Sequence, residues 1–178
     1  MPAALKAGAV IYSALLIAII MTGLTGCDPQ ETETMPHRPP LTLDYRTSAE
    51  AMYTAIRVEN GQLSYTFFND SDHRCTQWFK STPCWTEDDL ETRKRMLTDS
   101  ELTALYALVE QLRVEALQGD TFGERNLRKR AYTETLTVHY GQVQQQLRYR
   151  SSPQAEPKPG LFAALENRLR ELAATLLP

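Results

Sequence analysis

The 178-residue sequence lacks the short motifs that mark most enzyme classes. It has no G-x-S-x-G elbow, no H-E-x-x-H helix, no glycine-rich phosphate loop and no C-x-x-C-H haem attachment. Histidine is scarce, with only His37, His73 and His139. They fall in a proline-rich stretch, a turn-forming segment and a threonine-rich strand, so the pattern assembles no general base. Positive charge is not in excess either. Lys6 is the one charged side chain before Cys27, leaving 18 basic against 22 acidic residues beyond it, a balance of −4. That excludes a general nucleic-acid binder, whose phosphate contacts need a basic surface. The acidic run Glu87-Asp88-Asp89 with Glu91 lacks EF-hand spacing and a distal glutamate, and reads as a solvated loop. No catalytic residue, cofactor or metal site is expected.

What is present is ordinary for a globular protein: 42% hydrophobic and 23% charged residues, which argues against wholesale disorder. The N-terminus is more specific. After Lys6, an apolar run extends from Ala7 to Met21 and ends in Thr22-Gly23-Leu24-Thr25-Gly26-Cys27. A basic residue, an apolar segment and small residues before a cut site make a secretory signal over residues 1–26. The competing reading is an uncleaved span, because Ala7 to Leu24 is 18 uncharged residues. The small-residue end and the lack of a flanking basic cluster weigh against it.

Leu24-Thr25-Gly26-Cys27 resembles the lipobox of bacterial lipoproteins. The resemblance implies cleavage before Cys27, diacylation of its thiol and often acylation of the new N-terminus. Two or three chains bury enough methylenes to hold a domain at a bilayer. Asp28 resembles the inner-membrane retention signal of enterobacterial lipoproteins, which favours the periplasmic face of the inner membrane over the outer membrane. Residues 27–40 then read as the lipidated cysteine and a proline-rich tether (DPQETETMPHRPP after Cys27), and 41–178 as a single domain of the mature chain.

With Cys27 assigned to lipid, Cys75 and Cys84 remain in an oxidising compartment, and a disulfide closing CTQWFKSTPC is the simplest expectation. The alternative is a metal site from His73, Cys75 and Cys84, which has at most three ligands and no C-x-x-C pair.

The domain reads as α+β. Leu41, Leu43 and Tyr45 alternate in a first strand, and residues 52–59 and 62–68 flank the hairpin signal Asn60-Gly61. The segment from Asp70 to about Lys94 has no period that assigns it. Thr98-Asp99-Ser100-Glu101 is a capping box flanked by the staple pair Leu97 and Leu102. It opens a helix over about 99–117 with an apolar stripe to Ala116 and a stop at Gly119. Residues 131–140 and 143–150 form a second hairpin with one wet face of threonines, glutamines and arginines. A last helix, about 160–176, carries a stripe from Leu161 to Leu176, with Glu166 and Arg170 paired on its outer side. These elements predict an antiparallel sheet of about five strands, two hairpins plus an N-terminal strand, with two amphipathic helices on one face. The layout resembles that of small uncharacterised bacterial lipoproteins, a likeness that confers no function.

Two features suggest a binding surface. One is the basic loop with Arg125, Arg128, Lys129 and Arg130; the other is the aromatic segment Trp78-Phe79 with Trp85. The expected function is a non-enzymatic, membrane-anchored accessory module that binds an envelope protein or polymer. An inhibitor or immunity-type lipoprotein against a cell-wall enzyme and a small envelope hydrolase are the alternatives.

Overall fold

Polar and apolar residues alternate along β1 (Leu41–Ala49), and the strand is accordingly one-sided. Leu41, Leu43, Tyr45 and Thr47 are buried, while the residues between them are half-buried or exposed. The computed structural model describes residues 38–112 and 120–177; the expected signal, Cys27, the expected tether up to His37, the expected helix end and Gly119 stop within 113–119, and Pro178 lie outside them. The chain divides into Met1–Pro36 and His37–Pro178, and the described residues all belong to the second unit. Among the described residues no helix is long and apolar enough to cross a membrane.

β2 (Met52–Glu59) and β3 (Gln62–Phe68) form the expected hairpin. Asn60 and Gly61 take φ of 50° and 74°, the paired positive values of a tight I′ turn. β4 (Leu90–Met96) follows, then α1 (Asp99–Leu112), β5 (Thr121–Gly123), β6 (Tyr132–Tyr140), β7 (Val143–Ser151) and α2 (Gly160–Ala174). The architecture is α+β, with one seven-stranded mixed sheet in the order β4-β3-β2-β1-β6-β7-β5. All neighbours are antiparallel except β5, which pairs with β7 in parallel.

The sheet thus has two strands more than the five predicted, and both are edges. In β4 the inward positions opposite Phe67, Tyr65 and Leu63 are Glu91, Arg93 and Arg95, so no apolar alternation marks the strand. The arginines serve helix ends instead. Arg93 crosses the Phe67 ring and donates to the Leu176 carbonyl, and Arg95 donates to the Thr175 hydroxyl. β5 has only three residues, too short for any period to show. A charged edge and a very short edge both blunt pairing with other chains.

The capping box forms as read: the Glu101 amide donates to the Thr98 hydroxyl at 3.2 Å, and the Thr98 amide to the Glu101 carboxylate at 2.8 Å. Both helices bury their stripes in the same cluster as the inward strand residues. Leu105 and Val109 of α1, and Phe162, Leu165 and Leu169 of α2, join Leu43, Ile56, Val58, Leu136 and Leu147. Each such side chain, fully buried, is worth roughly 1.5–3 kcal/mol. The opposite face of the sheet carries neither helix.

The chain enters at one end of β1. Residues 38–40 are bound to the domain rather than free: Arg38 donates to Thr103, Tyr106 to the Pro39 carbonyl and the Gly141 amide to the Pro40 carbonyl. The β1–β2 turn and the ends of β3, β5 and β7 gather at the other end, about 26 Å away along β1.

Candidate functional site

The uncovered face is built from outward positions of the strands. The pleat brings Asp44 and Arg46 of β1, Arg57 of β2, Thr135, Thr137 and His139 of β6 and Gln146 of β7 to one side. With Thr42 they line a concavity of about 410 Å³. Its charges are preset: Arg46 grips Asp44 through two bonds, at 2.7 and 2.8 Å, and Arg57 approaches the same carboxylate at 3.7 Å. Across the face as a whole, Arg46, Arg57, Lys94, Arg148 and Arg150 stand against Asp44 and Glu59, so a mildly acidic chain presents a basic surface here. His139 enters the concavity but makes no hydrogen bond to Asp44 among the described residues. The acid is held by arginines and does not orient the imidazole.

The two sequence-predicted binding features lie at the loop end, and one residue joins them. Glu50, in the β1–β2 turn, accepts the Cys84 amide on its carbonyl at 2.8 Å; its carboxylate pairs with Arg130 and accepts the Tyr132 hydroxyl at 3.0 Å. Its own backbone N–H, with Tyr132 and Arg130, holds that carboxyl below the usual range. Cys75 and Cys84 are disulfide-bonded, with Cα atoms 5.7 Å apart, so neither thiol is available as a metal ligand beside His73. Among the described residues no three His, Cys, Asp or Glu cluster as a metal site.

The aromatics divide. Trp85 packs on Tyr53 at 5.0 Å and donates its indole N–H to the Ala49 carbonyl, which fixes the loop to the sheet. Trp78 staples the loop internally through Thr82 and lies under Lys80. Phe79 is 94% exposed. In the basic loop, Arg125 pairs with Glu156, Lys129 bonds Gln154 and nears Glu124, and Arg130 is tied to Glu50. Arg128 is exposed, beside Leu127.

No protein-family model matches this chain. No curated protein matches it either.

Sequence reasoning missed a buried ionic cluster under the sheet. Tyr45 is fully buried; its hydroxyl lies 2.7 Å from Glu134, 3.0 Å from Glu166 and 2.6 Å from Arg170. Lys158 bridges the two glutamates, and Arg170 donates to Glu166 at 2.8 Å. The Glu166–Arg170 pair therefore faces the sheet, where the helix reading placed it outward: Glu166 is 6% exposed because Tyr45 and Lys158 meet it from the strand side. Burial, then the bond to Glu134, pushes the Tyr45 phenol up. Burial opposes charge on Glu166 and on Lys158, but their mutual bond and their other partners outweigh it. The carboxyl is held below its usual range and the ammonium above its own. A signal was available in β6, where Glu134 occupies an inward register between Tyr132 and Leu136. An acid at such a position needs partners.

Proposed function

We propose that this protein is a lipid-anchored, non-enzymatic binding module of the bacterial envelope. The sheet face left uncovered by the helices is its recognition surface for an envelope protein or polymer. The observation that carries the reading is the concavity on that face, where Arg46, Arg57 and Asp44 are prearranged among threonines and surrounded by net positive charge. Such a face suits a partner that presents acidic groups. The anchor rests on Leu24-Thr25-Gly26-Cys27, and Asp28 favours the inner membrane. The entry of the chain at the Leu41 end agrees with a domain held from one side.

The test is a photo-crosslinking residue at Thr135 in the full lipidated chain, with Ala104 on α1 as the control site. A single envelope species captured at Thr135, absent at Ala104 and lost in Arg57→Glu, supports the reading. Equal capture at both sites, or none at Thr135, overturns it.

A second reading has its own observation. Phe79, almost wholly exposed at the tip of a disulfide-closed loop, has the form of an inhibitory wedge and favours an inhibitor or immunity-type role. Capture that survives Arg57→Glu but is lost in Phe79→Ala would select it.

A further inference from the structure

We propose that the cavity at the loop end of the sheet, between the β1–β2 turn, the ends of β6 and β7, and Arg170 of α2, binds a small zwitterion of the amino-acid or short-peptide class. This site is independent of the open-face reading: Thr47 and Glu134 point to the helix side of the sheet, whereas Arg46 and Thr135 point to the other.

The cavity measures about 420 Å³. That lies within the range of roughly 300–1,000 Å³ usual for small-molecule sites. Its back wall holds polar groups with unspent bonding capacity. Thr47 and Glu134 are directly opposite in register and only 4% and 8% exposed. The Thr47 hydroxyl makes no hydrogen bond among the described residues. Glu134 spends Oε2 on Tyr45 and Lys158, and its Oε1 has no partner there. Arg170 spends Nε on Glu166 and Nη2 on Tyr45, leaving Nη1. These atoms open onto the cavity, where water serves them when it is empty, and a ligand that offers matched groups can take the place of that water.

The arrangement also selects the ligand's chemistry. Glu134 and Arg170 both bond the Tyr45 hydroxyl, so a carboxylate and a guanidinium flank one oxygen. A ligand facing them needs an ammonium or N–H for the first and an oxygen acceptor for the second, a few atoms apart. An α-amino acid or a dipeptide carries both. Net charge is not selected, because Glu134 and Glu166 balance Lys158 and Arg170, and Glu50 balances Arg130 at the mouth. Ala49, Ala51, Met52 and the Tyr132 ring supply an apolar rim for a side chain.

The experiment is a titration of the ¹⁵N-labelled full chain in detergent micelles with glycyl-leucine. Saturable shifts are expected at the amides of 49–52, Tyr132 and Ser151. Thr47→Val, which keeps the shape and removes the hydroxyl, should weaken binding by about fivefold or more with the rest of the spectrum unchanged. N-acetyl-glycyl-leucine amide, without either terminal charge, should bind weaker by a similar factor. Absence of saturable shifts at those amides, an unchanged affinity in Thr47→Val, or equal binding of the uncharged analogue would overturn the proposal. Arg57→Glu should leave the titration unaltered, which keeps this result separate from that of the open face.

Discussion

At the scale of single residues, the cluster around Tyr45 is the most consequential feature. Two carboxylates and a guanidinium converge on one phenol, the Lys158 ammonium bridges the two carboxylates, and each charge is tolerated because another stands beside it. Removing Lys158 leaves Glu134 buried without a cation and Glu166 with Arg170 alone. Lys158→Met should therefore destabilise the fold by about 3 kcal/mol, read as a lowered urea midpoint; an unchanged midpoint would mean that Arg170 alone satisfies both glutamates. The cluster was only half legible beforehand. Glu166 and Arg170 are four apart on a helix, so their pairing could be read, but helical spacing does not say which side of the pair meets the sheet. The link from Glu134 to Tyr45 spans 89 residues of sequence and has no local signal.

At the scale of elements, the start of α1 and the edge strand β4 depend on each other. Glu101 completes the capping box and also takes two bonds at 2.8 Å from Arg95. Arg95, with the Thr98 amide, holds the Glu101 carboxyl down to about 2. A carboxyl lowered on folding stabilises fully above its unfolded range near 4.5, and that contribution is lost as pH falls toward about 2. The urea midpoint should drop over that interval, and Glu101→Gln should flatten the drop; an equal slope in the variant would assign the acid sensitivity to other carboxylates.

The disulfide belongs to the same scale. Reducing it, or substituting Cys75→Ser, should lower stability by roughly 2–3 kcal/mol by the loop-closure relation. Alkylation of both thiols without prior reduction, seen by intact mass, would contradict the bond. The turn of β5 into the basic loop is equally specific. Gly123 has φ of 84°, and a Cβ there would lie 2.4 Å from the Arg150 carbonyl, so any side chain must displace the strand pair.

At the scale of the whole molecule, one sheet separates two surfaces. Helices and core occupy one side, with the ionic cluster and the loop-end cavity at its margin; the polar concavity occupies the other. The proposed anchoring belongs to the same scale, and it rests on sequence. Cys27→Ser should leave an unprocessed precursor in membranes, visible as a larger band, and normal maturation of that variant would refute the lipoprotein assignment.

The sequence by itself determined what is local. The β2–β3 hairpin follows from Asn60-Gly61, the start of α1 from Thr98 and Glu101, and the one-sidedness of β1, β6 and α2 from periods of two and of three to four. Each depends on residues within a few positions of one another, where pattern and turn chemistry act directly. Tertiary structure alone decided that β4 and β5 are strands. Arg93 and Arg95 become inward residues only because Phe67 and the end of α2 lie there to receive them. It also decided that Glu50 joins the disulfide loop to the basic loop, and that Thr47 and Glu134 meet beside a cavity. Those contacts connect segments far apart in the chain, and burial, not propensity, gives them their energy.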